Sequence, residues 1–590
     1  MRFHVLATDY DGTIAHDGIV DDATIAALER LKKSGRKLVM VSGRELPDLL
    51  NTFNRIDLFD SAVLENGAII YNPKTKETRV LVEGPPPAFA ETLKKRGVPL
   101  STGHVIVATV EPHDPTVLAT IRDLGLELQV IFNKGAVMVL PSGVNKATGL
   151  AAALAEMGLS PHNAAGVGDA ENDHAFLKVC ECSAAVANAL PAVKDTADVV
   201  TKGKRGAGVT ELIDQMIADD LSDLKTLARH RVPVGEAVRP VEPPAGTEEA
   251  AKQEEAIDPA GAGVLVCGTS GSGKSTLTTS LMEQLAGAGY QMLVIDPEGD
   301  YTNLDFATTL GNHQQPPRPE DVTEALKNPA RSIVVNMLGV PLADRPLFFA
   351  QLMPRILEEK GRTGRPHWLV VDEAHHLLPQ GPDAINLAKQ LPDRGTMYIT
   401  VHAGAMDPAA LEHVGTLLVI GGHPAKTVAE FCKATREGNP KCPTVAGDKL
   451  PTGDAMLWRR GEPAATIIRT KPPRTERKRH SRKYAEGNLG ADRSFYFRGP
   501  AGKLNLKASN LFLFLQLADG VDDDTWDFHR TNGDYSKWVR TEIKDNQLAD
   551  ELAEIEIDAA AGPKDTRAAV RAAIEARYTL PSDAPSGLID

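Results

Sequence analysis

The sequence predicts an α/β protein in which two parallel-sheet domains are followed by a small, mainly helical domain. Residues 1–220 and 259–470 each alternate short apolar runs with amphipathic stretches. This alternation is typical of a parallel sheet covered by helices on both faces. The segment between them, residues 221–258, is rich in Pro, Glu and Ala, which predicts a linker. Residues 471–490 read as a basic linker, and residues 491–590 as the helical domain.

The composition is that of a globular protein without membrane segments. Of the 590 residues, 42% are hydrophobic and 24% are charged, which is ordinary for such proteins. Five scattered cysteines predict a reducing compartment rather than a disulfide framework. No apolar run reaches transmembrane length, and the first predicted strand starts at residue 3. We therefore expect a cytoplasmic protein with no membrane partner. The net charge of −14 argues against extensive coating of nucleic acid.

The first predicted strand ends in two carboxylates, Asp9 and Asp11, which Gly12 and Thr13 follow. Parallel sheets bind ligands at the carboxyl ends of their strands, and glycine lets the backbone turn tightly around a phosphate. A carboxylate that attacks a phosphate needs a metal ion and cationic side chains to offset the negative charge. The pattern predicts a nucleophile loop for phosphate chemistry.

Three later segments supply the remaining groups that such chemistry needs. Ser42 follows a strand at residues 37–41 and offers a hydroxyl donor, and Lys146 opens a predicted helix and offers a cation. The acidic run at residues 169–173 follows a further strand at residues 164–167. Its carboxylates are ligands that Mg²⁺ prefers.

Taken in this order, the four segments resemble the haloacid dehalogenase superfamily, over residues 1 to about 218. The resemblance implies a phosphatase in which Asp9 forms an aspartyl-phosphate. It also implies that Asp11 protonates the leaving group and then activates water, while Ser42 and Lys146 hold the phosphoryl oxygens. An inactive structural copy is the alternative, although no motif residue is missing.

The same resemblance implies a Mg²⁺ site and a small substrate. Asp169 would bind Mg²⁺ together with Asp9 and the Asp11 carbonyl, and Asn172 and Asp173 would complete the acidic loop. Residues 83–140 correspond to a cap between the second and third motifs, as in the small-capped, Cof-like phosphoglycolate and sugar-phosphate phosphatases. The loop at residues 65–68 resembles one near the cap hinge of that family. We therefore expect a small phosphorylated substrate.

A second phosphate-binding pattern, GTSGSGKST, spans residues 268–276 and lies between a predicted strand and a predicted helix. Backbone N–H groups of such a P-loop surround the β- and γ-phosphates of ATP, while the lysine adds charge and the serine reaches Mg²⁺. The predicted nucleotide-contacting residues are Gly268, Gly271, Gly273, Lys274, Ser275 and Thr276.

An apolar run at residues 367–371 ends in Asp372 and Glu373. Asp372 would belong to the Mg²⁺ shell together with Ser275, and Glu373 would polarise the attacking water. A glutamate at this place favours ATP hydrolysis over small-molecule phosphorylation. The domain is therefore predicted to be a RecA-like P-loop ATPase.

Two further motifs, DPEGDY at residues 296–301 and DEAHH at residues 372–376, resemble the HerA/FtsK-type ATPases. The resemblance covers residues 260–470. It implies that Thr400 is a sensor residue and that Arg394 is a candidate arginine finger. Family members commonly carry Gln after the sensor, whereas His402 lies two residues after Thr400 here, and the amino-terminal barrel of HerA is absent.

Three features of the sequence each leave two interpretations open. The basic stretch at residues 469–483 is either a contact for nucleic-acid phosphates or a linker that pairs with the acidic remainder of the chain; the scarcity of aromatic residues there favours the second. The aromatic residues at 495–538 form either the core of the helical domain or an interaction surface. The pair Cys180 and Cys182 is either a metal or redox pair or two buried thiols.

Three hypotheses follow for the whole chain. It is a bifunctional phosphatase and ATPase, or a HerA-like, DNA-translocating or defence-type ATPase whose phosphatase acts on nucleotides or nucleic-acid ends, or a phosphatase gated by ATP. A motor would form a homo-oligomeric ring. Nucleic acid is not the favoured partner, and residues 1–220 are expected to fold alone.

Overall fold

The computed structural model describes most of the chain. The described residues are 1–133, 135–222, 230–238, 254–269, 271–312, 314–380, 387–474, 489, 493–500, 502–543, 545–558 and 560–577. They divide into two compact units, Met1–Arg474 and Thr475–Asp590. No helix among these residues has the length and apolar character needed to cross a bilayer.

The amino-terminal domain, residues 1–222, is built on an eight-stranded sheet in the order β12-β11-β10-β1-β2-β3-β4-β5. The strands from β12 to β3 are parallel, and β4 and β5 continue the edge antiparallel. The strands are β1 (Val5–Thr8), β2 (Lys37–Val41), β3 (Ser61–Leu64), β4 (Ile69–Tyr71), β5 (Thr78–Val80), β10 (Ala164–Gly168), β11 (Cys182–Ala185) and β12 (Val199–Val200). The helices are α1 (Asp22–Lys33), α2 (Leu46–Thr52), α5 (Lys146–Glu156), α6 (His174–Val179), α7 (Pro191–Thr196) and α8 (Gly206–Asp219). Because β1, β2 and β10 are adjacent and parallel, their carboxyl ends lie at one edge of the sheet.

The cap is a four-stranded antiparallel sheet with two helices. Its elements are α3 (Pro87–Lys95), β6 (Ser101–Thr102), β7 (Val107–Val110), α4 (Asp114–Asp123), β8 (Leu128–Asn133) and β9 (Ala136–Pro141). Side chains on one face, such as Val137 and Val139, pack with Phe89 and Val117 of the two helices. Met138 and Leu140 alternate with them and join the core of the amino-terminal domain, so the cap lies against that domain.

The P-loop domain, residues 230–474, has an eleven-stranded sheet in the order β14-β13-β23-β22-β21-β15-β20-β19-β16-β18-β17. Its strands are β13 (Val232–Ala237), β14 (Glu254–Ile257), β15 (Gly263–Gly268), β16 (Met292–Asp296), β17 (Ala307–Leu310), β18 (Ser332–Asn336), β19 (Trp368–Val371), β20 (Thr396–Thr400), β21 (Val414–Ile420), β22 (Asp454–Arg459) and β23 (Thr466–Thr470). Its helices are α9 (Lys274–Gly287), α10 (Pro319–Leu326), α11 (Arg345–Thr363), α12 (Ala374–Leu377), α13 (Pro408–Leu411) and α14 (Pro424–Thr435). β20 lies between β15, which leads into the P-loop, and β19, which ends before Asp372. This order is the one expected of a RecA-like domain.

Part of the segment that the sequence predicts to be a linker belongs to this sheet. β13 pairs with both β14 and β23, and Val232, Val234 and Ile257 are buried in the core of the P-loop domain. The composition misled the prediction because Pro and Glu dominate the segment. Only a few of its positions carry the apolar side chains that pack into the core. Residues 223–229 and 239–253 lie outside the described part of the chain.

The carboxy-terminal unit is mainly helical, as predicted. Its elements are β24 (Phe495–Phe497), β25 (Leu506–Ala508), α15 (Leu511–Gly520), α16 (Asp523–Thr531), α17 (Asp534–Trp538), a π-helical turn at Val539–Ile543, α18 (Asn546–Ile557) and α19 (Pro563–Arg577). Phe497, Phe514, Trp526 and Tyr535 are buried in one cluster, and the rings of Trp526 and Tyr535 stack at 4.5 Å. The interpretation of these aromatic residues as a core is confirmed.

Candidate active sites

Asp9 lies at the carboxyl end of β1 and is paired with Lys146. The Lys146 Nζ atom lies 2.6 Å from Asp9 Oδ1 and 2.6 Å from Asp173 Oδ1. Lys146 is the first residue of α5, whose start is fixed by Asn145, because the Asn145 side chain accepts hydrogen bonds from the backbone of Ala147 and Thr148. All three charged side chains of the cluster are buried. The structure thus brings together groups that are 137 residues apart in the chain.

Three buried carboxylates in this cluster could hold a metal ion. Oxygen atoms of Asp9, Asp169 and Asp173 lie within 4.8 Å of one another. The Asp173 carboxylate also accepts hydrogen bonds from the backbone N–H of Asp169, at 2.8 Å, and of Ala170, at 2.9 Å. Three carboxylates against the single ammonium of Lys146 leave an excess of buried negative charge, and burying unbalanced charge is costly. A hard divalent cation with oxygen ligands, such as Mg²⁺, fits this set.

Burial and mutual repulsion change the protonation of the cluster. Burial, followed by the charge of Asp173, raises the pKa of Asp9 to about 7 despite the opposing effect of Lys146. For Lys146, burial would lower the pKa, but the carboxylates of Asp173 and Asp9 together outweigh it and raise the pKa above its usual value. Lys146 therefore stays charged at neutral pH and can offset charge on a bound phosphate.

Asp11 is held by a residue that the sequence analysis did not single out. Arg44, which follows β2, donates from Nε to Asp11 Oδ2 at 2.7 Å and from Nη2 to Asp11 Oδ1 at 2.8 Å. The same guanidinium also bonds Asp48 at 2.6 Å. Bidentate pairs of this kind fix the direction of a carboxylate. Arg44 follows directly on the motif that supplied Ser42, so the signal was in the sequence, but its partner depends on the fold.

Ser42 is buried at the carboxyl end of β2, and its Oγ accepts a hydrogen bond from the Arg44 backbone at 3.2 Å. Two further side chains hold the nucleophile loop. The Asn188 side chain, which the sequence analysis missed and which no spacing pattern marks, donates to the Gly12 carbonyl at 2.8 Å. Thr13, which the sequence places in this loop, donates from Oγ1 to Asp169 Oδ1 at 3.2 Å.

The predicted hinge loop anchors the cap. Glu65 is fully buried, and its carboxylate accepts hydrogen bonds from the backbone N–H of His104, Val105 and Ile106 at 2.8, 2.8 and 2.9 Å. Glu65 has a positive φ of 50°, a conformation that costs energy for a residue with a side chain. The adjacent Asn66 accepts a hydrogen bond from Asn172 at 3.1 Å. This loop therefore ties the cap to the acidic loop of the site.

The P-loop lies at the carboxyl end of β15 and leads into α9. Gly271 and Gly273 have positive φ angles of 76° and 101°, which glycine adopts without strain. The Lys274 Nζ atom donates to the backbone carbonyls of Gly268 at 2.9 Å and Thr269 at 3.3 Å. Ser275 is buried at the first turn of α9, and Thr276 is exposed.

Acidic residues meet this loop from neighbouring strands. Asp372 follows β19 and Asp296 ends β16, and both are buried. Burial, and then the charge of Asp296, raises the pKa of Asp372 well above its usual value; burial likewise raises the pKa of Asp296 to about 7. Glu373 has a φ of 44°, and its pKa is raised by burial and by Glu298, with Lys274 opposing the shift. The site thus holds carboxylates that can bind a cation and a glutamate, Glu373, that can accept a proton.

Thr400 ends β20 and contacts a residue that links it to Glu373. Thr400 Oγ1 lies 3.1 Å from His375 Nδ1, and His375 Nδ1 lies 3.4 Å from Glu373 Oε2. Burial, followed by the charge of His376, lowers the pKa of His375 to about 4, so its ring is neutral at pH 7. His375 therefore joins the predicted sensor to the predicted catalytic glutamate.

Arg394 does not lie with the P-loop. It is exposed and precedes β20, where it forms a backbone bridge with Ala262, just before β15. Since β15 and β20 are parallel, Arg394 and Lys274 lie at opposite ends of their strands. Arg394 therefore lies away from the P-loop of its own chain. Since an arginine finger can also be supplied in trans by another subunit, the assignment of Arg394 stays a prediction.

The described part of the basic stretch is paired with acidic residues of this chain. Arg469 pairs with Asp454 on the neighbouring strand, and the Lys471 Nζ atom lies 2.6 Å from Glu254 Oε1. The cations at residues 477–483 lie outside the described residues. Cys180 and Cys182 are buried and are not joined by a disulfide, and neither belongs to a metal-binding cluster among the residues that the structure describes.

Comparison with known families agrees with this geometry. Residues 6–102 and 119–213 match the haloacid dehalogenase-like hydrolase family, and residues 260–403 match the AAA domain. The chain joins a haloacid dehalogenase-like hydrolase domain to an AAA domain. We refer to residues 1–222 as the hydrolase domain and to residues 230–474 as the AAA domain.

The hydrolase domain is similar to curated phosphatases along nearly their whole length. It is 29% identical over 223 residues to Phosphoglycolate phosphatase 2 of Saccharolobus solfataricus, which covers 36% of this chain and 92% of the relative. It is 29% identical over 218 residues to the phosphoglycolate phosphatase of Methanothermobacter thermautotrophicus, with 35% of this chain and 96% of the relative covered. The match of residues 260–403 is to AAA domains in general, so the narrower HerA/FtsK assignment stays a prediction.

Arg44 is expected to act as a positioning residue for Asp11. In the Arg44→Ala variant the carboxylate loses both hydrogen bonds and its fixed direction, so kcat for a phosphomonoester should fall about 10- to 100-fold while KM changes little. Arg44→Lys keeps the positive charge but loses the bidentate geometry, so its kcat should lie between those of the wild type and of Arg44→Ala. Steady-state kinetics with p-nitrophenyl phosphate measures both constants. An unchanged kcat in Arg44→Ala would show that the pair has no part in turnover.

Proposed function

We propose that the chain is a bifunctional enzyme, a Mg²⁺-dependent phosphomonoester hydrolase and an ATPase. The observation that carries the first activity is the buried cluster of Asp9, Lys146, Asp169 and Asp173. Lys146 bonds Asp9 and Asp173 at 2.6 Å, and oxygen atoms of the three carboxylates lie within 4.8 Å of one another. Asp9 is the one member at the end of β1 beside the turn at Gly12. It is the candidate for covalent catalysis.

The chain's own residues account for the chemical step. The Asp9 carboxylate attacks phosphorus and the bond to the leaving oxygen breaks, while Lys146 offsets the charge on the phosphoryl oxygens and Ser42 donates a hydrogen bond to them. Asp11 gives a proton to the leaving oxygen and later takes one from the water that hydrolyses the aspartyl-phosphate. Bound Mg²⁺, held by Asp9, Asp169 and Asp173, would supply charge neutralisation that lets the dianion approach Asp9.

The pairing of Asp11 with Arg44 supports this role by its geometry. Two hydrogen bonds, at 2.7 and 2.8 Å, fix the direction of the Asp11 carboxylate. Arg44 would thus hold Asp11 in one orientation for both proton transfers.

The proposed substrate is a small phosphorylated carboxylic acid or sugar. The support for this class is the small cap, which Glu65 ties down at 2.8 to 2.9 Å, together with the similarity to proteins named phosphoglycolate phosphatase. Met138 of the cap lies next to Gly43, where a Cβ atom would come within 3.4 Å of the Met138 sulfur. A cap that lies this close to the site leaves room only for a short leaving group. Phosphoglycolate is the first substrate to test.

The second activity is ATP hydrolysis at the P-loop, supported by Lys274 after β15 and by Asp372 and Glu373 after β19, two parallel strands that flank β20. Lys274 and the α9 N-terminus would bind the phosphates, Ser275 and Asp372 would hold Mg²⁺, and Glu373 would accept the proton of the attacking water. The DPEGDY and DEAHH motifs favour a HerA-like ATPase. We do not propose DNA translocation, because the described basic residues already pair with Asp454 and Glu254.

The Asp9→Asn variant is expected to lose phosphomonoester hydrolysis, at least about 1,000-fold, because an amide cannot form the covalent intermediate. Release of inorganic phosphate from phosphoglycolate in the presence of Mg²⁺ measures this activity. Asp214→Asn, an exposed carboxylate on α8, is the matched control and should behave as wild type. Hydrolysis by Asp9→Asn at the rate of the control would refute the assignment.

The two activities are expected to respond to separate substitutions. Lys274→Ala should weaken ATP binding, whereas Glu373→Gln should retain binding and reduce ATP turnover at least about 100-fold. Both variants should hydrolyse phosphoglycolate normally at the temperature of the assay. If instead Asp9→Asn abolished ATP hydrolysis and Glu373→Gln spared it, the hydrolase domain would be the source of the ATPase activity.

A further inference from the structure

The hydrolase and AAA domains meet through the ends of their sheets that are remote from both active sites. On the hydrolase side the contacts come from the turns before β10 and β11, and on the AAA side from the turns before β16 and β19. Ser160 Oγ lies 2.8 Å from His367 Nε2, and His162 Nε2 lies 2.8 Å from the Ala288 carbonyl. Because both nucleotide and phosphate sites occupy carboxyl ends of strands, the two sites face in opposite directions.

A buried carboxylate joins the two domains at the centre of this contact. Glu181, whose side chain is 2% exposed, pairs with Arg2 and lies 2.6 Å from His162 Nδ1 within the hydrolase domain. It also accepts a hydrogen bond from the hydroxyl of Tyr290 in the AAA domain at 3.1 Å. The rings of His162 and Tyr290 stack with centroids 3.7 Å apart.

Both nitrogens of the His162 ring face acceptors only, the Glu181 carboxylate and the Ala288 carbonyl. The ring thus links Glu181 of its own domain to the Ala288 carbonyl of the AAA domain. Separation of the domains would break a charge-assisted network rather than a set of isolated surface contacts.

Arg365 and His367, two residues apart in the AAA domain, complete the polar contact. Arg365 is 1% exposed and donates to the Gly158 carbonyl of the hydrolase domain at 2.8 Å and to Gln291 of its own domain at 2.7 Å. The backbone N–H of Gln291 donates to His367 Nδ1 at 2.8 Å, so His367 Nε2 carries the proton that it shares with Ser160. Each of these side chains is bonded on both sides of the interface.

The surfaces also fit sterically. At Gly364, with a φ of 71°, an added Cβ would lie 2.3 Å from Asn163 Nδ2 and 2.9 Å from His4 Cδ2 of the hydrolase domain. At Gly289 it would lie 3.2 Å from His162 Nε2. Even a methyl group at Gly364 therefore has no room unless the domains move apart.

We propose that this edge of the hydrolase domain is an obligate docking surface for the AAA domain of the same chain, so that the two domains unfold as one cooperative unit. The expectation that residues 1–220 fold and act independently is thereby replaced. A consequence is that anything which stabilises or destabilises the AAA domain changes the stability of the hydrolase domain by the same free energy.

The test is a cross-domain effect in the full chain. Leu281 lies in the AAA core on α9 and is fully buried, so Leu281→Ala should destabilise that domain. If the two domains unfold together, Leu281→Ala should also inactivate the hydrolase earlier on heating. The temperature at which half of the p-nitrophenyl phosphate hydrolysis is lost should fall by about 5 °C. Calorimetry should show one shared transition for the two domains, which keeps the test independent of the activity itself.

Gly364→Ala breaks the steric fit, and the decisive experiment combines Leu281→Ala with this substitution. In this background Leu281→Ala should shift the inactivation temperature of the hydrolase by less than about 1 °C, and the shared transition should split into two. Gly461→Ala is the matched control, since Gly461 has a similar φ of 86° and nothing within 4 Å of an added Cβ. It should leave the coupling intact.

Glu181→Gln is an independent second variant, because it removes the buried charge without adding volume; it should also reduce the cross-domain shift. The proposal is overturned if Leu281→Ala leaves the hydrolase inactivation temperature of the otherwise wild-type chain unchanged, or if that chain shows separate transitions for the two domains. It is equally overturned if Leu281→Ala shifts the hydrolase inactivation temperature by the same amount in the Gly364→Ala and Gly461→Ala variants.

Discussion

The ammonium of Lys146 between two buried carboxylates is the interaction on which the hydrolase site depends. Without it, Asp9 and Asp173 would be two like charges close together in a water-poor interior, and one of them would take up a proton. With it, both stay close to the place where a phosphate must bind, and the remaining negative charge attracts a divalent cation. The fold supplies this arrangement by placing the first residue of α5 opposite the ends of β1 and β10.

The two candidate active sites use the same arrangement of charged groups on two separate sheets. In each, a lysine at the first turn of a helix and carboxylates at the ends of adjacent strands surround the place of a phosphate. They differ in the group that reacts. In the proposed function Asp9 would carry the phosphoryl group itself, whereas Glu373 would only accept a proton from water. The two domains meet at the opposite ends of their sheets, so the two sites lie apart from each other.

The sequence sufficed where a function depends on a local pattern. Asp9, Lys146 and Lys274 lie in short motifs at strand and helix ends, and the structure places each at the expected end. Pairings between distant segments could not be predicted in this way. The bidentate contact of Arg44 with Asp11 and the contact of His375 with Thr400 depend on which strands become neighbours, and no spacing in the chain encodes that.

The errors have physical causes as well. β13 and β14 were missed because the Pro- and Glu-rich composition around them outweighs their three buried apolar side chains, and such short strands gain most of their stability from pairing with a sheet. The place of Arg394 also depends on the fold, because the direction of β20 carries it to the end of the sheet away from the P-loop of its own chain. Sequence distance to a site is therefore a poor guide unless the direction of the strand is known.

The central claim is that Asp9 carries the phosphoryl group during turnover. The most direct measurement is a rapid acid quench of the Mg²⁺-loaded enzyme during turnover of ³²P-labelled phosphoglycolate, followed by digestion and mapping of the label. We predict acid-stable, hydroxylamine-sensitive label on the peptide that contains Asp9, and none when Mg²⁺ is removed. Hydrolysis that proceeds with no label on that peptide at any time, or with label on a different residue, would contradict the account.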